Sequence, residues 1–198
     1  ILLRIEMDDY INNLMSKAVE EYPFIAKHNP IVMVGNAGED YAETWPQNEP
    51  GAPNAPRPKE FPIDRVGVMI GKPNEFTHHD LAGELMHVDP IANKTRKGLI
   101  DSMTAKQLAT LATVSGDFKQ TMDEGRPAAD AVQNGTDSAM RGYLLNQWPK
   151  EANDEMKYNK DQLKMLDSLK SYMKQDLGNK SGGVAMPQHY SSGNWKLI

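Results

Sequence analysis

The 198-residue chain has no cysteine. That absence excludes disulfide frameworks, thiolate nucleophiles and cysteine-type zinc sites, leaving histidine, aspartate and glutamate as candidate metal ligands. Aromatic residues make up 7% and hydrophobic residues 39% of the chain, and the mean hydropathy is −0.63. These values are low for a compact domain, so part of the chain is expected to extend over the surface or to dock on something else. No run of about 18 apolar residues is present, which excludes a membrane-spanning helix. Basic residues are scattered and the formal charge is −5, so there is no nucleic-acid signature. The chain opens Ile1-Leu2-Leu3-Arg4 without methionine, signal peptide or obvious targeting sequence, as expected of a piece excised from a longer polypeptide. Its length suits a single globular domain, placed at residues 1–177, with 178–198 as a flexible or docking tail.

What is present points to an α+β fold of five or six helices with a small two- or three-stranded antiparallel sheet and a long Pro-rich loop. Met7, Ile11, Leu14, Met15, Ala18 and Tyr22 recur at helical spacing over the first 22 residues, and Pro23 ends that helix. The apolar run Pro30 to Gly35 reads as a strand. Tyr41 to Trp45 alternates and can pair with Arg65 to Ile70. Further on, Thr77 can cap a helix reaching Val88, which Asp89-Pro90 stops. Ser102 or Thr104 can cap a helix from Ala105 to Glu124. Pro127 can open a short one, and Thr136 can cap another reaching Trp148. Asn159 caps a helix carrying Leu163, Leu166, Leu169, Tyr172, Met173 and Leu177, stopped by Gly178.

Between the second and third strands lies the segment 46–62, with six prolines in seventeen residues. Proline lacks the backbone donor and fixes φ, so this arm is expected to join no sheet ladder and to run as an extended surface excursion. Trp45, Pro46, Pro50, Pro53, Pro56 and Pro58 are the candidate interaction residues, since a stiff arm docks at little entropic cost.

The helix from Thr77 holds three of the five histidines. Gly83-Glu84-Leu85-Met86-His87 reads as the zinc-protease motif H-E-x-x-H with its first histidine replaced by glycine. Asp80, Glu84 and His87 share one helical face, and Leu81, Leu85 and Val88 form the apolar stripe. His79 cannot replace the missing ligand, because eight residues separate it from His87, about 12 Å along the axis. A rebuilt metal site could use Glu84 and His87, with Asp80, His28 or His189 brought in by tertiary structure; in a zincin-like site His87 and Asp80 are the candidate ligands and Glu84 the candidate catalytic residue. The competing reading is a capped amphipathic helix with no metal. Glu39, Asp40 and Glu43 could form a carboxylate pair for glycoside hydrolysis. The glycine- and serine-rich pieces match neither a nucleophile elbow nor a phosphate loop.

The order of several segments is distinctive: Tyr41-Ala42-Glu43-Thr44-Trp45-Pro46, Arg57-Pro58-Lys59-Glu60-Phe61-Pro62, Gly67-Val68-Met69-Ile70, and Leu81-Ala82-Gly83-Glu84 with His87 and Asp89-Pro90. Arg141-Gly142-Tyr143, Gln147-Trp148-Pro149 and Tyr158-Asn159-Lys160-Asp161-Gln162-Leu163 follow. Over residues 20–175 the chain resembles a domain of the very large multidomain virion-associated proteins of tailed bacteriophages, some of which are packaged and injected with the genome. In those proteins the corresponding helix also has glycine followed by an acidic residue, which implies that the missing histidine is a family trait. The resemblance implies a non-enzymatic structural or interaction module located in the virion and delivered to, or made in, the host cytoplasm. The partners it implies are other virion proteins, other domains of a longer polypeptide, or further copies of the chain. It transfers no catalytic residue and no cofactor; the alternative is a zincin-like, zinc-dependent hydrolase with altered or lost ligands.

Overall fold

The computed structural model describes residues 2–37, 41–52 and 55–175. The fold is α+β, with nine helices among the described residues instead of five or six. By its internal contacts the chain divides into two compact units. One runs to Val88 and includes the segment from Met173; the other is Asp89–Tyr172.

The first unit opens with α1 (Leu2–Glu21). Its buried residues Ile11, Leu14, Met15 and Ala18, with Tyr22 just past its end, follow the spacing seen in the sequence, with Asn12, Asn13 and Glu20 exposed between them. Pro23 cannot donate to the helix ladder, and the chain continues as a short 3-10 helix, Pro23–His28. Strands β1 (Ile31–Val34), β2 (Ala42–Trp45) and β5 (Gly67–Ile70) form a sheet of order β1-β5-β2. β2 pairs antiparallel to β5 with Trp45 opposite Gly67, but β1 runs parallel to β5, so the sheet is mixed where an antiparallel one is expected. A parallel pair needs a long crossover, and the chain between β1 and β5 supplies it. Every residue of the central strand β5 is buried. α2 (His78–Val88) packs on α1 and β2.

The Pro-rich segment departs from its expected form. It folds into a two-stranded hairpin, β3 (Gly51–Ala52) with β4 (Ala55–Pro56), pairing Gly51 with Pro56. Each strand of a two-stranded ladder is an edge, where proline's missing donor is tolerated. Arg57 holds the base of the hairpin. Its amide donates to Pro50 O at 2.8 Å. Its guanidinium donates to the carbonyls of Phe61 (2.9 Å), Pro46 (2.8 Å), Glu49 (3.3 Å), Pro62 (2.7 Å) and Arg65. A five-donor planar fork meets a ring of carbonyls that the local prolines cannot pair with amides.

The second unit is all helical: α3 (Pro90–Ser102), α4 (Ala105–Val114), α5 (Gly116–Asp123), α6 (Ala128–Leu145), α7 (Lys150–Met156) and α8 (Lys160–Met173). Asp89-Pro90, read as a stop, is also a start. Asp89 accepts from the amides of Ile91 and Ala92, and Pro90 occupies the first helical position, where no donor is required. The helix expected from Ala105 to Glu124 is split at Ser115, whose side chain caps α5 through Phe118 N. Conversely, α6 passes straight through Thr136, which is buried and returns its hydroxyl to Val132 O at 2.7 Å instead of capping. Asn159 caps α8 as expected, accepting from Asp161 N and Gln162 N.

The amino ends of α4 and α8 are locked together. Thr104 and Gln107 form a capping box, and Gln162 Oε1 accepts from Asn159 N in the same way. The two buried glutamines then exchange hydrogen bonds, Gln107 Nε2 to Gln162 Oε1 at 2.6 Å and Gln162 Nε2 to Gln107 Oε1 at 3.0 Å. Gln162 also donates to Ser102, and Gln107 to Met156 O. Tyr172, the last residue of the unit, donates to Asp89, its first, at 2.9 Å.

Candidate functional site

α2 carries the Gly83-Glu84-Leu85-Met86-His87 motif. Its first turn is closed locally: Thr77 donates to Asp80 Oδ2 through its amide (2.7 Å) and its hydroxyl (2.6 Å). Leu81, Ala82, Gly83, Leu85 and Met86 are buried. Asp80 Oδ2 also lies 3.4 Å from the Tyr41 hydroxyl. Burial, followed by the Asp80 charge, pushes the Tyr41 phenol up and the Tyr10 phenol up to about 12. Glu84 accepts from Thr44 Oγ1 on β2 at 2.8 Å. Both carboxylates of the candidate face therefore bind their own helix or the neighbouring strand. His87 is exposed in the last turn, and His28 sits edge-on to Phe24 at 6.0 Å. His189, Glu39 and Asp40 lie outside the described residues, while Glu43 stands on β2 opposite Met69.

The structure draws together a different set. Among the described residues, Glu21, His78 and His79 are the His, Asp or Glu group of three that brings its ligand atoms within 4.8 Å of one another. Glu21 closes α1 and the two histidines open α2. His78 Nε2 lies 2.7 Å from Glu21 Oε2, and His79 Nδ1 lies 4.0 Å from the same oxygen. The imidazoles lean on each other with centroids 3.9 Å apart. Tyr22 connects the group, its hydroxyl 2.7 Å from His79 Nδ1 and 3.0 Å from Glu21 Oε1. Lys174 approaches Glu21 Oε1 at 3.7 Å and stands over the Tyr22 ring at 4.6 Å.

The electrostatics of this group follow from its partners. Burial pushes the Glu21 carboxyl up, but hydrogen bonds from His78 and Tyr22, with the charges of His79 and Lys174, outweigh it. The net position is below the usual carboxylate range. Burial and the neighbouring His78 hold the His79 imidazole below its ordinary value, against the pull of Glu21 and Asp80, which favours its neutral form. A neutral imidazole beside a carboxylate can accept a metal or pass a proton. Sequence reasoning does not reach Glu21, since only folding brings the end of α1 to the start of α2. The adjacent pair His78-His79 was the available signal.

The candidate interaction residues divide. Trp45 is 4% exposed, packed with Met33, Ala37, Phe61 and Met69. Its ring lies 5.4 Å from that of Phe61, and Phe61 covers Gly67, where an added Cβ would meet the ring at 2.5 Å. Pro50 and Pro56 are exposed, Pro46 and Pro58 half-buried, and Pro53 lies outside the described residues. Comparison with family models, with curated proteins and with solved structures finds no match for this chain.

Proposed function

We propose that the chain is a non-enzymatic structural and interaction module of a tailed-phage virion or ejected protein, the setting its sequence resembles. The observation that carries this reading is the structural use of the α2 carboxylates. Asp80 caps its own helix through Thr77, and Glu84 takes a hydrogen bond from Thr44. A zincin glutamate has to face a metal-bound water, with histidines one helical turn apart on the same ion, and Gly83 stands where the first of them belongs.

The hairpin supports the interaction half of the reading. Arg57 fixes the carbonyls at its base, leaving Pro50, Pro56, Pro62 and Ile63 exposed on a preset shape. A partner that docks there has little ordering entropy to overcome. Other virion proteins, neighbouring domains and further copies of the chain are the partners this reading allows.

Cross-linking followed by mass spectrometry on purified particles tests it. The chain is expected in the particle, with cross-links from exposed Lys59 beside the hairpin to another virion protein. Absence from particles refutes the virion setting. Zinc-dependent peptidase activity of the purified chain, lost in Glu84→Gln, refutes the non-enzymatic reading in favour of the hydrolase.

A further inference from the structure

We propose that Glu21, His78 and His79 bind one divalent transition-metal ion of the zinc type, as a clamp between the end of α1 and the start of α2. The donors are two imidazole nitrogens and a carboxylate oxygen, a set that suits zinc and its borderline neighbours and does not suit the all-oxygen preference of calcium or magnesium. Zinc held about 2.0–2.2 Å from three such atoms separates them by roughly 3.3–3.6 Å. Here the separations are 2.7 Å between His78 and Glu21 and 4.0 Å between His79 and Glu21, with all three atoms inside 4.8 Å. The observed distances straddle the required one, and side-chain rotations of about an ångström reach it without moving either helix.

Access is open: the side chains of Glu21, His78 and His79 are 39%, 22% and 31% exposed. Three protein ligands leave a fourth position for water or an outside donor. Three features oppose a cation. The Tyr22 hydroxyl lies 2.7 Å from His79 Nδ1 and has to release that nitrogen before it can bind an ion. The amino end of α2 is the positive end of its dipole, but Glu21 stands at the carboxyl end of α1, whose dipole has the opposite sign there. Lys174 shares the Glu21 carboxylate and has to swing away, which a half-exposed lysine does readily. The site is separate from Glu84 and His87, and the inference does not depend on the virion reading.

The test is a titration of the whole chain after chelator treatment, with Zn²⁺ by calorimetry and with Co²⁺ by its visible absorption. One equivalent is expected to bind. His78→Ala and His79→Ala should each weaken binding by more than the roughly 10–100-fold that loss of an outer-shell partner costs. Lys174→Gln should strengthen it by removing the competing cation, whereas Glu84→Gln and His87→Ala should leave it unchanged. Should a histidine variant fail to fold, imidazole NMR of the unmodified chain decides, with Zn²⁺ shifting His78 and His79 and not His87. No stoichiometric binding, binding indifferent to both imidazoles, or shifts centred on His87 would each overturn the proposal.

Discussion

Asp137 offers a quantitative check on the second unit. It lies on α6, with Arg96 of α3, Arg141 one turn on and Asp117 of α5 as the charges around it. Its Oδ2 is 3.6 Å from Arg96 Nη1, beyond hydrogen-bond range, while its Oδ1 and that Arg96 nitrogen are buried without a hydrogen-bond partner. Burial therefore outweighs both arginines and pushes the carboxyl from 3.8 up to about 6. A carboxyl raised on folding binds more protons folded than unfolded between those values, so stability falls as pH rises through the window. At about 1.36 kcal/mol per tenfold change in proton affinity, the rise amounts to about 3 kcal/mol, fully present only well below pH 3.8 and nearly gone by pH 7. Urea unfolding of the wild type and Asp137→Asn from pH 4 to 7.5 isolates the contribution. Shifts from other groups, such as the lowered Glu21, cancel in the difference. Removing the charge also unpairs Arg96, which offsets the two curves without tilting them against each other. The margin of wild type over variant should shrink by about 2–2.5 kcal/mol between pH 4 and 7. A flat difference, or one that grows with pH, would refute the argument by showing that the arginines outweigh burial.

Arg57→Lys should loosen the hairpin. Hydrogen bonds to a charged donor are worth about 1.5–3 kcal/mol each when buried, and a lysine cannot reproduce the fork; at this half-exposed site a loss of about 1–3 kcal/mol is expected. Proteolysis within 46–62 should accelerate, and unchanged protection would count against the staple. The reciprocal glutamine pair should couple: Gln107→Ala and Gln162→Ala are each expected to cost about 1–3 kcal/mol, and the double variant less than their sum by about 1 kcal/mol. Strict additivity in thermal or urea unfolding would mean the amides act separately. Gly83→His restores the protease spelling, but it puts a large side chain at a buried position of α2. It should destabilise by more than about 1–3 kcal/mol without adding a His87-dependent zinc site, and titration in a His78→Ala/His79→Ala background checks this.

The legible parts of the fold are those set by short-range chemistry. α1 follows from its apolar spacing, α2 from Thr77 and its stripe, and α8 from Asn159. Proline is ambiguous in the sequence, because one residue marks both a stop and a start. Pro90 opens α3, Pro149 stands at the N-cap of α7, and both helices follow segments that proline was expected only to end. The direction of β1 was not legible, since periodicity marks a strand but not its orientation to a partner many residues away. Nor was the Pro-rich hairpin, which depends on Arg57 reaching five carbonyls from one side chain. The candidate site was visible only as two adjacent histidines; Glu21 lies 57 residues from His78 and joins it through tertiary packing.

What a polar side chain can do for a ligand depends on what it must give up. A metal drawing on Asp80 Oδ2 would compete with the amide and hydroxyl of Thr77 for that oxygen and loosen the first turn of the helix, at a cost of about 0.5–2 kcal/mol. Drawing on Glu84 would leave the Thr44 hydroxyl to find another acceptor at the sheet. Glu21 differs, because one of its partners, His78, becomes a co-ligand when an ion arrives, and another, Lys174, is half-exposed and returns to water. Its third partner, Tyr22, can keep its bond to Oε1 while Oε2 binds the ion, but has to give up its contact with His79 Nδ1. The face spelled like a protease has carboxylates already engaged by Thr77 and Thr44, and no second imidazole one turn from His87. The junction between α1 and α2, which no motif marks, is where two imidazoles and a carboxylate come within reach of one ion.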